Sequence, residues 1–353
     1  MRLAVFSAKS YDREYLSSSF TPHQVQVSFH SFALSSDTVS LTTDTDAVCV
    51  FVNDVLDRSI LAALSANGVK AILLRCAGFN NVDLLAAEEL GFFVANVPAY
   101  SPEAVAEFAV SLIQTLNRQT HRAFNRVREG NFNLEGLLGY TLHGKTVGIV
   151  GVGRIGLAFA KIMAGFGCHL LAYDSFASKD DTNSNNPFTT TLGGRFVTLD
   201  ELLQNSDVVS LHCPLTEETR HLINENTLGR LKRGALLVNT SRGGLVKTSA
   251  AIAALKGKTL GGLALDVYEA EGDLFYNDYS GEIIHDDELM RLVTFPNVLV
   301  CGHQAFFTHE ALQEIAGVTT SNLLDFMQGR SCRNSLVREG HVLVKRNTEP
   351  VRI

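Results

Sequence analysis

The chain has 353 residues, with 37 acidic against 30 basic side chains, a formal net charge of -7 and 46% hydrophobic residues. That length exceeds what one hydrophobic core usually serves, so two lobes are expected, and the acidic balance with dispersed Lys and Arg argues against nucleic acid as the main partner. No apolar run reaches the roughly 20 residues that span a bilayer, and Met1-Arg2-Leu3-Ala4-Val5-Phe6 reads as a first strand, too short for the apolar region of a signal peptide, so a cytoplasmic protein acting on a small molecule is expected.

In chain order, strand candidates fall at residues 2 to 6, 25 to 29, 47 to 51, 71 to 74 and 92 to 95, separated by polar or helix-forming segments such as Asp57 to Ala66 and Asp83 to Leu90. This rhythm predicts a small parallel α/β lobe. Ser101-Pro102-Glu103 then opens an apolar-periodic helix through Asn117, with Ser101 as cap and Pro102 in the first turn. From Gly144 strands alternate with helices again, at 146 to 150, 169 to 173, 207 to 212, 235 to 239, 261 to 265 and 297 to 301, which predicts a doubly wound sheet of about six strands. Thr308 to Met327 is helical in pattern and is expected to return to the first lobe. The expected division is therefore 1–100 plus 307–353 as a discontinuous substrate lobe and 101–306 as a nucleotide lobe, with the active-site cleft between them. Two stretches interrupt the rhythm: Ser175 to Arg195, read as a silent surface insertion, and the acidic, aromatic Gly272 to Glu288, which has a credible part in shaping a pocket.

The six cysteines are scattered, mostly in or beside apolar runs, with no C-x-x-C pair. Buried free thiols and no metal site are expected.

The strand Val147-Gly148-Ile149-Val150 runs directly into Gly151-Val152-Gly153-Arg154-Ile155-Gly156. Glycines spaced G-x-G-x-x-G between a strand and a helix allow the tight turn, the close approach of backbone to a pyrophosphate, and close helix-to-strand contact. The helix N-terminus then offers free N–H groups to the anion. A second strand, Leu170 to Tyr173, ends in Asp174, eighteen residues beyond Gly156. A carboxylate there accepts hydrogen bonds from an adenosine ribose and repels a 2′-phosphate, so NAD is favoured over NADP; a solvated loop acid is the bland alternative. Both lobes are accordingly expected to be Rossmann-like or flavodoxin-like.

Ligands of open α/β sheets bind at the carboxyl ends of strands. Three such ends carry functional side chains: Arg242 after 235 to 239, Glu271 after the strand leading to Asp266, and His303 after Val298 to Cys301. Together they suit reduction of a 2-oxo acid. His303 would protonate the carbonyl oxygen, Glu271 would fix its tautomer, and Arg242 would bind the carboxylate through two parallel hydrogen bonds. His212 is read as lining the cofactor or supporting its strand.

Gly151 to Gly156, Asp174, Asn239-Thr240-Ser241-Arg242-Gly243, Asp266-Val267-Tyr268-Glu269 and His303 resemble, in order and spacing, the NAD-dependent D-2-hydroxyacid dehydrogenases. Arg75 to Asp83, Val97 to Glu107 and Gly302 to Phe306 look like the fermentative D-lactate dehydrogenase branch of that family. The resemblance covers nearly the whole chain and implies an enzyme that reduces pyruvate to D-lactate with NADH. It also implies substrate contacts from the backbone of Ala77 and Gly78 and from Tyr100, with Phe306 closing around a methyl group. For NAD it implies Arg154 and Ile155 at the pyrophosphate, Cys213, Pro214 and Thr219 on the adenosine side, Thr240 and Ser241 at the nicotinamide ribose, and Asp266 near the nicotinamide. Some relatives carry Asn at the Thr219 position. The resemblance further implies a homo-oligomer. A reductase of another 2-oxo acid, such as 2-oxobutyrate, glyoxylate or phenylpyruvate, and an NAD(H)-sensing binding module are the competing readings.

Overall fold

A computed structural model describes residues 1–175, 186–272, 274–338 and 341–342. The chain divides into two compact units, one formed by Met1–Ser101 with the C-terminal segment that begins at Phe306, the other by Pro102–Ala305.

The first unit is built on strands β1 (Arg2–Val5), β2 (Gln26–Phe29), β3 (Ala47–Val50), β4 (Ala71–Leu74) and β5 (Phe93–Ala95). They pair in the order β2-β1-β3-β4-β5, all parallel. The central strands explain themselves: every residue of Ala47–Val50 and Ala71–Leu74 is buried, as an aliphatic run must be when helices cover both faces. Helix Arg58–Ala66 starts where the Asp57 carboxylate accepts the Ile60 N–H, and it buries Ile60, Leu61 and Leu64 as one stripe. Each such Leu contributes about 1.5 to 3 kcal/mol when fully buried.

Helix His309–Met327 is capped by Thr308, whose hydroxyl accepts the Ala311 N–H. It lies against helix Ser10–Phe20, where Ser19 Oγ and Thr320 Oγ1 are 2.6 Å apart. Its Ala316 and Leu323 join Leu3, Val5, Leu16, Phe20, Cys49 and Leu73 in one core.

The second unit carries a parallel sheet of β6 (Thr146–Val150), β7 (His169–Tyr173), β8 (Arg195–Phe196), β9 (Val208–Leu211), β10 (Ala235–Asn239), β11 (Leu260–Leu265) and β12 (Val298–Val300), ordered β12-β11-β10-β9-β6-β7-β8. Seven strands stand where about six were expected. The addition is β8, a two-residue edge strand too short to leave a pattern. Helices pack on both faces: Pro102–Arg118 and Arg154–Gly165 bury Ala106, Ile113, Phe159 and Met163 against Ile149 and Val238, while Leu199–Asn205 and Thr248–Lys256 bury Leu202 and Leu255 against Val209 and Leu263. The chain leaves β6 toward β7 on one side and returns to β9 on the other, so the order reverses beside β6 and opens a crevice at the carboxyl ends of β6 and β9.

The expected silent insertion is corrected in part. Residues 176–185 lie outside the described residues, but Phe188 in the short helix Pro187–Thr190 is fully buried and its ring is 5.2 Å from that of Phe196. The cysteines are all unpaired, as expected, but only Cys49, Cys76 and Cys332 are buried; Cys168, Cys213 and Cys301 are half-buried.

Candidate active site

At the end of β6, Gly151 adopts φ of 91°, and a Cβ there would lie 2.8 Å from the Cys213 backbone nitrogen. A Cβ on Gly156 would overlap the Gly151 carbonyl. The turn is therefore open only to glycine, and it brings bare backbone to the crevice. Helix Arg154–Gly165 begins behind it with Gly153 at its N-cap and no side-chain cap, so its first N–H groups are left for an anion. Asp174, at the end of β7, accepts the Val152 N–H at 2.9 Å, which fixes the acid beside the turn. Across the crevice, Ser241 Oγ donates to the Cys213 carbonyl at 2.6 Å, and Thr240 Oγ1 is buried with no hydrogen-bond partner among the described residues. A buried hydroxyl without a partner is costly unless a ligand completes it. Burial pushes the Cys213 thiol up to about 12, so it stays a neutral wall beside Pro214. The Thr219 hydroxyl turns inward, donating to the Pro214 carbonyl at 2.7 Å and accepting the Thr216 N–H at 2.7 Å. Its interactions hold its own loop. These features fit a dinucleotide.

The next three strand ends carry charge. Arg242 follows β10 and is half-buried, with Nη1 donating to the Ser241 carbonyl at 2.8 Å. After β11, Asp266 is fully buried and accepts the N–H groups of Gln304 at 2.9 Å and Ala305 at 3.0 Å, while its carbonyl accepts the His303 N–H at 2.7 Å. Asp266 thus anchors the loop that follows β12. Burial raises its carboxyl above the usual range, against the opposing pull of those two N–H groups and of His303. The anchored loop holds His303 at φ of 55°, a left-handed conformation that a non-glycine residue adopts only when its surroundings impose it.

Glu271 lies on the turn that follows Asp266. Its Oε2 accepts the Tyr268 N–H at 2.8 Å, which directs Oε1 to His303 Nδ1 at 2.9 Å. With Nδ1 engaged, Nε2 is the ring nitrogen left for chemistry. The side chains are 17% and 22% exposed, enough for a small ligand to reach and too little for bulk water to screen the pair. Tyr276, unassigned by sequence reasoning, lies tilted against the imidazole with ring centroids 5.8 Å apart and donates its hydroxyl to the His303 carbonyl at 3.2 Å. Its signal was the aromatic, acidic stretch from Gly272 to Glu288. In the same stretch Asp286 takes the Tyr268 hydroxyl at 2.8 Å and caps helix Asp287–Val293.

In the first unit, Cys76-Ala77-Gly78 follows β4, and its carbonyls are held: Cys76 O by the Val97 N–H, Ala77 O by Asn96 Nδ2 at 2.8 Å, and Gly78 O by the Cys76 thiol. Arg75, just before the turn, is buried with Nε and Nη2 on the Asp12 carboxylate at 2.9 and 3.2 Å and its guanidinium over the Phe51 ring. Sequence reasoning missed Asp12 and Asn96. Phe306 sits among the Tyr100, Phe51 and Phe307 rings at 6.1, 6.3 and 6.1 Å. Among the described residues no group of His, Cys, Asp and Glu could hold a metal ion, and no helix is long and apolar enough to cross a membrane.

Residues 110–305 match the family model described as D-isomer specific 2-hydroxyacid dehydrogenase, NAD binding domain. The chain is 70% identical to 2-hydroxyacid dehydrogenase A of Aspergillus oryzae, with all of both chains covered, and 60% identical to D-lactate dehydrogenase kk1H of Curvularia clavata, with 96% of each covered. Among solved structures, the apo form of D-lactate dehydrogenase from Escherichia coli superposes with a TM-score of 0.85 at 47% identity, covering 96% of this chain and all of that one. An NAD-dependent oxidoreductase built from parallel α/β lobes is thereby defined. The chain belongs to the D-isomer-specific 2-hydroxyacid dehydrogenase family.

Proposed function

We propose that the enzyme reduces pyruvate to D-lactate, a reading carried by the Glu271–His303 pair at 2.9 Å on the sheet that bears the dinucleotide turn. The D-lactate dehydrogenase name of the Curvularia relative supports the choice of substrate. Arg242 binds the substrate carboxylate through its guanidinium fork and draws charge toward the reacting carbonyl. His303 gives the proton on Nε2 to the carbonyl oxygen, and Glu271 stabilises the imidazolium before transfer. Asp266 and Tyr276 hold the ring in place. NADH, when bound, supplies the hydride. Gly151, Gly153, Arg154, Ile155 and Gly156 hold its pyrophosphate, Asp174 its adenosine ribose, Cys213 and Pro214 its adenosine side, with Thr219 bracing their loop, and Thr240, Ser241 and Asp266 its nicotinamide side. In the unit that begins at Met1, the residues we assign to the substrate are Ala77, Gly78, Tyr100 and Phe306.

A wider range of 2-oxo acids is the second reading, favoured by the broader name of the Aspergillus relative. One methylene changes discrimination by only about 1 to 3 kcal/mol. The reading places the enzyme in the cytoplasm as a homo-oligomer; six unpaired cysteines support the first, and the exposed Phe132, Leu134 and Leu138 support the second.

The test is the initial rate of NADH oxidation with pyruvate, 2-oxobutyrate, glyoxylate and phenylpyruvate, followed by chiral analysis of the product. Fastest turnover of pyruvate, to D-lactate alone, is expected. Preference for a larger acid selects the second reading, and NADH binding without turnover refutes both in favour of a sensing module.

A further inference from the structure

The turn after Asp266 carries two carboxylates, and each meets a histidine. Glu271 meets His303; two residues earlier, Glu269 Oε1 lies 2.5 Å from His221 Nε2. The other Glu269 oxygen accepts both the backbone N–H and the hydroxyl of Thr248, at 3.1 and 3.0 Å, where helix Thr248–Lys256 begins. The His221 and Glu269 side chains are 31% and 27% exposed, so the pair is partly shielded from solvent. Burial alone would raise the Glu269 carboxyl, but the hydrogen bonds from Thr248 and His221 outweigh it and hold the group below its usual range.

His221 is also held in a left-handed conformation, with φ of 50°. Its N–H donates to the Gly244 carbonyl at 2.8 Å, and its own carbonyl accepts Asn224 Nδ2 at 2.8 Å. Beyond it, the Ile223 N–H donates to the Leu245 carbonyl and the Lys247 N–H to the Ile223 carbonyl, each at 2.9 Å. The loop from 214 to 224 is thus laced to the loop that carries Arg242. That second loop rests in turn on the first turn: a Cβ at Gly243, next to Arg242, would overlap the Tyr268 carbonyl and come within 2.6 Å of the Glu269 nitrogen. The three segments converge where His221 meets Glu269, and a small cavity lined by Gly243, Val246, Thr248, Tyr268 and Glu269 lies between the Arg242 loop and the turn.

We propose that the His221–Glu269 pair is a clasp that fixes the Arg242 loop against the turn bearing Glu271, which makes His221 and Glu269 positioning residues for recognition of the 2-oxo acid carboxylate. The proposal rests on the roles given above to Arg242, Glu271 and His303. Its logic is geometric. Arg242 and His303 reach the same substrate from different strand ends, so any slack between the Arg242 loop and the 266–271 turn misaligns carboxylate and carbonyl.

The full-length enzyme and its His221→Ala, His221→Gln and Glu269→Gln variants are compared for KM and kcat with pyruvate and with NADH, alongside Tm. His221→Ala is expected to raise KM for pyruvate about tenfold, the scale of one charge-assisted hydrogen bond, with KM for NADH changed by less than about twofold. His221→Gln keeps a donor for Glu269 and is expected to recover most of the pyruvate affinity. Glu269→Gln is expected to reproduce the pyruvate defect and serves if His221→Ala does not fold. An unchanged pyruvate KM in His221→Ala, with the parent enzyme active, overturns the clasp alone. Equal losses for pyruvate and NADH that follow Tm and are not recovered by His221→Gln also overturn it, as a general loss of structure. A parent enzyme that turns over no 2-oxo acid overturns the functional reading and the clasp with it.

Discussion

Acidification from pH 7 to pH 5 should destabilise this protein through His212, its most strongly depressed histidine. The residue follows β9 beside the glycine turn, with Nε2 2.9 Å from Ser210 Oγ, its ring tilted against that of Phe159 with centroids 4.8 Å apart, and Nδ1 sealed from solvent with no partner among the described residues. Burial pushes its pKa down from 6.5 to about 3. A depressed folded-state value means that the unfolded chain binds the proton more tightly, so this stability is present above pH 6.5 and is lost as pH falls toward 3. At about 1.4 kcal/mol per pH unit, protonation of the unfolded chain across the 1.5 units from 6.5 to 5 removes about 2 kcal/mol. That figure is a ceiling, because part of the residue still faces solvent. His212→Gln cannot titrate, and every other ionisable group cancels when the two proteins are compared. The assay is urea unfolding followed by far-UV circular dichroism, since the chain has no Trp. The stability difference between parent and variant should shift by up to about 2 kcal/mol against the parent between pH 7 and pH 5. Parallel profiles would refute the reasoning and show that the imidazole is solvated.

Four further predictions concern the active site. His303→Gln should lower kcat for pyruvate reduction by about 100-fold or more and flatten its pH profile; near-normal turnover would sink its role as proton donor. Arg242→Lys keeps the charge but loses the fork, so steady-state kinetics should show KM for pyruvate rising on the order of 10-fold or more, and an unchanged KM removes Arg242 from the substrate site. Asp174→Ala should cut the preference for NADH over NADPH, read as a ratio of kcat/KM values, by about tenfold; an unaltered ratio would mean that the acid does not meet the ribose. Tyr276→Ala should reduce kcat by about tenfold while Tyr276→Phe stays within about threefold, because the tilted ring contact survives in Phe and the 3.2 Å hydrogen bond it loses is long. Equal effects of the two substitutions would transfer the role from ring to hydroxyl.

What the sequence made legible follows from burial and connectivity. Strands such as Ala47–Val50 and Ala71–Leu74 are read easily because a parallel sheet covered on both faces demands uninterrupted aliphatic residues. Helix Thr120–Arg128 was missed because it is short and polar: its only apolar residues, Ala123, Phe124 and Val127, share one face but none is buried. The strand-end rule was enough to single out Glu271 and His303, since parallel strands β11 and β12 are neighbours and both chain segments leave on the same side. It could not have found the long-range ion pairs of either unit. Asp12 and Arg75 are 63 residues apart, and His221 and Glu269 are 48 apart, and an isolated carboxylate in a sequence carries no mark of the cation it will meet. Family resemblance named Thr219 and Asp266 but said nothing of where their side chains point: Thr219 turns into its own loop and Asp266 grips the backbone of Gln304 and Ala305. The strained backbone at His303 is the clearest such case. Its left-handed φ arises because Asp266 takes the N–H groups of three successive residues, 303 to 305, through one carbonyl and two carboxylate oxygens, and this forces the turn that presents the imidazole to Glu271. The side-chain geometry at the strand ends is thus set by acids that touch backbone, a role that residue type alone does not distinguish from ligand binding.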